Sequence, residues 1–375
     1  MQNNDNQLQA IIFVNSTAAT SGGALTVLHQ FLKSIPKYDI ENVYYIFCTA
    51  PEVNQYESDN VKIINNIYKK KWIGRVWWDN FGMGRWAKQN GIRPDLIVSL
   101  QNTGVRLGKI VKQIVYYHQS LPMYEYNWSL WEKKERLLWF YKNIYPWFVK
   151  RHFYQNDILV VQSDWMKEAS NKVLKIDTEN IIVIKSTMQI HPPVELKEGS
   201  KPQNEHFNII YPATDLVFKN HKVIYDALKQ VSNERQEILK NIKLYTTLVY
   251  NKELSDEIKG LEKNIEFLGN IEYSELMEKY TKMDLMVFPS YLETVGLPLL
   301  EAAYFGLPII TSDLPYAKEA ISGYNGVRFV EYNDPNAWAN EIIDVYQNRN
   351  KYLQFKVNNG DTWSDMFRLI RQHIK

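Results

Sequence analysis

Glu293-Thr-Val-Gly-Leu-Pro-Leu-Leu-Glu301 stands between two short apolar runs, residues 285–288 and 309–311. The runs have strand length and the segment between them opens a helix over 298–304, so the stretch reads strand, loop, helix, strand. Pro298 suits a first helical turn, where its missing N–H costs nothing. The unbonded N–H groups of that turn, with the helix dipole, make an anion site. Glu293 is expected just before the helix and Glu301 in its first turn. Two acids around an anion site can grip a molecule that is anionic in the middle and rich in hydroxyls at both ends. A blander reading has Glu293 cap the helix start and Glu301 complement its dipole.

The alternation extends outward in both directions. In the second half, strands are expected at 207–211, 242–248, 265–268 and 327–330, and helices at 222–231, 253–261, 274–282 and 335–346. In the first half, strands are expected at 10–14, 43–49, 61–64, 96–98, 114–117, 158–162 and 181–184. Ala24, Val27, Leu28, Phe31 and Leu32 follow the first of these at helical spacing. Strands alternating with helices predict parallel, helix-covered sheets, hence an α/β fold. Residues 191–205 interrupt the pattern with three prolines and one glycine and read as an interdomain linker. Two such domains would form a cleft where the carboxyl ends of their strands meet.

The chain has 375 residues, 45% hydrophobic and 23% charged, which fits a globular protein of two domains. A net charge of +2 gives no argument for a nucleic-acid partner. One cysteine, Cys48, excludes an internal disulfide and a cysteine-based metal cluster, and its apolar surroundings in sequence predict a buried thiol. The N-terminus lacks a basic stretch followed by an apolar core, and no apolar run approaches the ~20 residues of a membrane span. A cytoplasmic location is expected. Nine of the 11 tryptophans precede residue 166. Trp72, Trp77, Trp78 and Trp86 stand among Lys69, Lys70, Lys71, Arg75 and Arg85. Trp131, Trp139 and Trp147 stand among Lys133, Lys134, Arg136, Lys142 and Lys150, with Pro146 expected to break the helix there. Such mixtures suit the headgroup level of an anionic membrane, while plain core packing beside solvated charges is the competing expectation.

Three further positions carry chemistry. Gly22 and Gly23 close the loop after the first strand, and paired glycines let a backbone approach a phosphate. The loop is neither G-x-G-x-x-G nor a P-loop, which disfavours a redox Rossmann enzyme. His118 ends the strand expected over 114–117 and points into the ligand crevice, as a hydrogen-bonding or acid–base group. Lys219 falls between a strand and a helix, where an ammonium can neutralise a diphosphate.

Taken in order, Gly22-Gly23, His118, Lys219, Phe267-Leu-Gly269 and Glu293…Glu301 with Gly306-Leu-Pro308 resemble the retaining GT-B glycosyltransferases of family 4. The resemblance implies two Rossmann-like domains facing each other across a cleft: 1–195 for the acceptor, 206–358 for a nucleotide-sugar, and a helix over 359–375 packing back on the first. It implies sugar transfer from a UDP- or GDP-linked donor to a glycan or lipid-linked hydroxyl, in bacterial surface-polysaccharide synthesis, with no cofactor or metal. By resemblance, Glu301 binds the ribose and Glu293 lies beside the donor sugar. N–H groups of Thr294, Val295, Gly296 and Leu297 face sugar and phosphates, Lys219 stabilises the leaving diphosphate, Gly22-Gly23 closes on it, and His118 contacts the sugar. One departure stands out. The family has Gly-Arg after the first strand of the second domain, where this chain has Tyr211-Pro-Ala-Thr214. Two other readings therefore stay open: a GT-B-like epimerase of nucleotide-sugars, and an inactive glycan- or nucleotide-binding subunit.

Overall fold

The structure, a computed structural model, describes residues 9–65, 72–107, 111–186, 206–348, 355 and 361–374. The chain divides into two compact units, 1–186 with 360–375, and 187–359. The expected linker, residues 191–205, lies outside the described residues, as do Lys69, Lys70 and Lys71.

The strands of the first unit are β1 (Ile11–Ser16), β2 (Val43–Cys48), β3 (Val61–Ile64), β4 (Leu96–Ser99), β5 (Lys112–Tyr116), β6 (Ile158–Val161) and β7 (Ile181–Val183). Those of the second are β8 (Phe207–Tyr211), β9 (Ile242–Thr246), β10 (Ile265–Phe267), β11 (Leu285–Phe288), β12 (Ile309–Ser312) and β13 (Val327–Val330). They follow the sequence expectation to within a few residues at each end. Helices α1 (Gly22–Tyr38), α2 (Trp72–Trp77), α3 (Met83–Asn90), α4 (Arg136–Asn143), α5 (Tyr145–Arg151) and α6 (Asp164–Leu174) cover the first sheet. Helices α7 (His221–Glu234), α8 (Gln236–Leu239), α9 (Lys252–Glu257), α10 (Tyr273–Thr281), α11 (Leu297–Tyr304), α12 (Pro315–Ala320) and α13 (Pro335–Asn348) cover the second, and α14 (Thr362–His373) follows. A π-helical turn, Trp78–Gly82, joins α2 to α3. Pro146 sits at the start of α5, so the break it was expected to cause falls between α4 and α5.

Both sheets are parallel and doubly wound. Their orders are β3-β2-β1-β4-β5-β6-β7 and β10-β9-β8-β11-β12-β13. In each, strand order reverses between the first and fourth strands: β1 pairs with β4 and β8 with β11. Parallel strands covered on both faces read as continuous apolar runs, and β4, β6, β8, β11 and β12 are buried along their whole length. The crevice outside the carboxyl ends at such a reversal is where doubly wound sheets bind ligands.

Helix α14 belongs to the first unit. Asp361 caps it by accepting from the Trp363 N–H at 3.0 Å. Its apolar face, Trp363, Met366, Phe367 and Ile370, is buried against α1, with the Phe367 and Phe31 rings stacked at 5.1 Å.

Candidate active site

In the second unit, the loops after β8 and β11 flank the reversal point. The loop after β8 ends in a short turn, Val217–Lys219, followed by Asn220 in the left-handed region (φ 58°). Asn220 donates its side-chain amide to the carbonyls of Pro289 and Tyr332. The Phe218 carbonyl accepts from the Tyr291 N–H at 3.0 Å and from the Ser290 hydroxyl at 3.2 Å. The two loops are thus stitched together, and they bring Lys219 Nζ within 2.5 Å of Glu293 Oε1. Both side chains are about 15% exposed. Lys219 is therefore not a solvated surface lysine, and Glu293 makes no cap for α11.

The start of α11 is set by Gly296, whose φ of 77° is left-handed. A Cβ there would sit 3.2 Å from Leu299 and from the Tyr316 ring. That conformation ends the irregular loop at Gly296, so the helix begins at Leu297 with Pro298 second. Glu301 therefore lies in the second turn of α11, which corrects the expectation of a first-turn acid. It is also buried, at 7% exposed. Its carboxylate accepts from Tyr280 Oη at 2.9 Å and from Tyr273. Burial pushes its pKa up, and the two tyrosine hydrogen bonds oppose the rise. The N–H groups of Val295 and Gly296 find no acceptor among the described residues, so the loop presents donors beside the Lys219–Glu293 pair. No arginine stands in the loop after β8. Its Ala213 is pinned by Thr247 Oγ1, which meets both its N–H and its carbonyl.

In the first unit, the loops after β1, β4 and β5 are joined by two side chains from the β4 loop. Gln101 Oε1 accepts from Thr17 Oγ1 at 3.0 Å and from the Ala18 N–H at 2.9 Å. Asn102, left-handed at φ 68°, accepts from the His118 N–H at 2.6 Å and sets its amide nitrogen 3.4 Å from His118 Nε2. Burial, with the charge of Arg75 second, pushes the His118 pKa down to about 4. The imidazole is neutral at pH 7, which suits it to hydrogen bonding rather than to delivering a proton. Gly22, also left-handed, is the first residue of α1, and neither Gly22 nor Gly23 has an atom near where a Cβ would stand. The backbone in front of α1 is open to a ligand.

Behind His118 lies a buried network that the sequence did not announce. Asp79, in the π-helical turn, accepts from Asn15 and Gln101 at 3.0 Å each. Arg75 donates to the Gln101 carbonyl at 2.8 Å and to Thr103 Oγ1 at 3.2 Å. Asn15 lies at the carboxyl end of β1, and Gln101 and Thr103 follow β4, at the reversal point; that position was the available signal. Asp79 had none, because a carboxylate between two tryptophan-rich turns looks like an exposed charge. For part of the first Trp/Lys/Arg cluster, core packing is the reading that holds. Trp78 is buried with its Nε1 donating to Asn15, and Trp86 packs on Phe13, Tyr45 and Phe47. Trp77 stays 44% exposed. In the second cluster Trp131 and Trp147 are exposed and Trp139 is half-buried.

Residues 195–361 match the family described as Glycosyl transferases group 1. That match covers less than half of the chain. Lys219, Glu293, Thr294, Val295, Gly296, Leu297 and Glu301 fall inside the match, whereas Gly22, Gly23 and His118 fall outside it. Among curated proteins, the O-antigen chain mannosyltransferase RfbU of Salmonella typhimurium is 26% identical over 188 residues, 48% of this chain and 49% of that one. The D-inositol 3-phosphate glycosyltransferase of Corynebacterium glutamicum is 31% identical over 94 residues, covering 25% of this chain and 22% of the relative. The chain spans about half the length of the curated relatives that match it over the longest stretches. Solved structures extend the likeness of fold to nearly the whole chain. Anabaena Alr3699/HepE, in complex with UDP and glucose, superposes with a TM-score of 0.62 at 17% identity, over 98% of this chain and 96% of that one. WaaG, a glycosyltransferase involved in lipopolysaccharide biosynthesis, gives 0.64 at 14% identity, over 96% and 95%. The two units thus have the Rossmann-like sheets of the GT-B fold.

Proposed function

We propose that this protein is a glycosyltransferase that moves a sugar from a UDP- or GDP-linked donor to a hydroxyl of a glycan or lipid-linked acceptor, with retention at the anomeric carbon. The observation that carries the reading is the Lys219–Glu293 pair beside the donor-rich start of α11, with Glu301 buried in the second turn of that helix. Glu301, oriented by its two tyrosines, accepts from the ribose hydroxyls. The N–H groups from Thr294 to Leu297 meet the phosphates and the sugar. As the bond from the anomeric carbon to the phosphate oxygen breaks, its electrons go to the diphosphate, and Lys219 swings part of its charge from Glu293 to that oxygen. Glu293 then faces the cationic sugar centre. The acceptor oxygen bonds from the same face and passes its proton to the departing diphosphate oxygen, which has taken the electrons of the broken bond. Gly22-Gly23 lets the backbone of the first unit approach the donor, and neutral His118 hydrogen-bonds a sugar hydroxyl. Surface-polysaccharide assembly is the setting that the relatives' names suggest, and peripheral contact with an anionic membrane belongs to the same reading. No helix among the described residues is long and apolar enough to cross a membrane.

A thermal-shift screen of nucleoside diphosphates and their sugar conjugates tests the donor class, since a specific ligand stabilises the folded state. A UDP or GDP series is expected to raise Tm, and Glu301→Ala to abolish the shift. No shift with any member would overturn the reading. With the donor found, proton NMR of the product decides retention, and turnover in EDTA equal to that in buffer is the expected metal-free result. Conversion of the donor in the absence of acceptor would instead identify an epimerase.

A further inference from the structure

A cavity of about 730 Å³ opens along α3, away from the carboxyl ends of the strands. Its walls are Gly84, Ala87, Ile92, Pro94, Leu107 and Val111, which are apolar. Ile92 and Pro94 precede β4 and Val111 precedes β5, so the cavity belongs to the amino ends of these strands, opposite His118. Lys88, Arg93 and Arg106 line it, and all three are exposed. None of their charged heads has an ion-pair or hydrogen-bond partner among the described residues. Asn80, the remaining polar side chain of the lining, is satisfied by the Val76 carbonyl and His152. The nearby acids are engaged elsewhere: Asp79 in its buried network, Asp95 on the Ile11 N–H. No lining residue carries negative charge.

The helical residues leading to this cavity carry an exposed apolar row. Ile73, Trp77 and Phe81, spaced by four along continuous helical residues, are 74%, 44% and 56% exposed. Phe81 also lines the cavity. An apolar floor, three unneutralised cations and an aromatic row at the mouth match one ligand chemistry, a phosphate monoanion attached to an apolar chain. A free phosphate would leave the floor and the row uncovered. A bilayer covers both, with aromatic rings at headgroup depth.

We propose that this cavity receives the headgroup phosphate of an anionic phospholipid, and that Ile73, Trp77 and Phe81 enter the bilayer surface beside it. The proposal gives the membrane contact of the functional reading a definite site and rests on that contact alone, not on sugar transfer. The test is sedimentation with vesicles of phosphatidylcholine, with and without phosphatidylglycerol. The full chain is expected to pellet with the anionic vesicles only and to be released by high salt. Lys88→Gln/Arg93→Gln/Arg106→Gln is expected to weaken partitioning on the order of 100-fold, three basic contacts being lost. A charge-matched control at exposed positions, Lys240→Gln/Lys252→Gln/Lys259→Gln, is expected to bind as the parent does. Phe81→Ser, a change outside the core, is expected to weaken binding without altering Tm. Nucleoside diphosphate thermal shifts should be the same in parent and triple variant, which separates failure of this site from failure of the transferase reading. Equal pelleting of parent and triple variant would overturn the proposal, as would loss only on changing Trp131 and Trp147. A thermal shift with millimolar glycerol 3-phosphate, lost in the triple variant, from a chain that does not pellet with anionic vesicles would also overturn it, in favour of a soluble phosphate ligand.

Discussion

At the scale of single residues, the Lys219–Glu293 contact matters most. Two largely buried opposite charges depend on each other: removing one leaves the other desolvated and unpaired. Lys219→Ala and Glu293→Ala should therefore each destabilise the protein, and the double variant should cost less than their sum by about 0.5–3 kcal/mol. Urea denaturation of the four proteins measures the coupling, and additivity within about 0.5 kcal/mol would show the pair to be incidental. A second set of residues controls the response to pH. Burial pushes Asp79 and Asp157 up to about 6 from an ordinary 3.8. Such acids hold their protons more tightly when folded, so their contribution is full below about pH 4 and is lost as pH rises towards 6. His118 and His152 are pushed down to about 4 from 6.5, again chiefly by burial. Their contribution is full above about pH 6.5 and is lost as pH falls towards 4. The two sets oppose each other over one window. Asp79→Asn removes one descending contribution, so between pH 4 and 6 its stability should climb with pH more steeply than the parent's. Parallel slopes would mean that Asp79 is ionised throughout.

At the scale of elements, α11 shows how one backbone conformation fixes a site. Gly296 holds the left-handed region and leaves no room for a methyl group against Leu299 and Tyr316. Gly296→Ala should cost about 1–2 kcal/mol from the backbone alone, with more from the contact. It should also weaken nucleotide binding, because the N–H groups of Val295 and Gly296 turn with it. A variant matching the parent in both denaturation midpoint and thermal shift would disprove this. The loop after β8 uses the same device with a different residue. Left-handed Asn220 reverses the chain after Lys219, and its amide ties the turn to the β11 loop. Loops built this way hold a lysine and a glutamate together with little freedom to separate, which is what a preorganised charge site needs.

At the scale of the whole molecule, the chain ends on the unit with which it began. Helix α14 buries Phe367 among Phe31, Tyr38 and Tyr44, and Lys37 pairs with Asp361 at 2.8 Å at its entry. The last twelve-residue helix is therefore part of the first core rather than a tail. Phe367→Ala should cost about 3–5 kcal/mol, the range for removing a buried aromatic side chain. A chain stopped after residue 360 should expose the apolar face of α1 and aggregate. A monomeric truncation with the parent's Tm would show that α14 only decorates the surface.

The sequence by itself determined the parallel α/β class, the strands, the proline break at Pro146 and the positions of Lys219, Glu293 and Glu301 in loops and helices beyond strands. Apolar runs and punctuating Gly and Pro residues are local signals, and parallel sheets buried on both faces write them strongly. Tertiary structure alone decided who meets whom. Lys219 and Glu293 lie 74 residues apart and pair because β8 and β11 are neighbours across the strand reversal. Tyr280 reaches Glu301 from another helix, and Asp79 finds Asn15 and Gln101 through the packing of a π-helical turn. Gly296 moved Glu301 from the first turn to the second. Trp78 and Trp86 went into the core while Trp77 stayed out, because a helical face is chosen by what packs against it. The order of residues sets local conformation, but the partners of a charge or a ring are chosen by strand order.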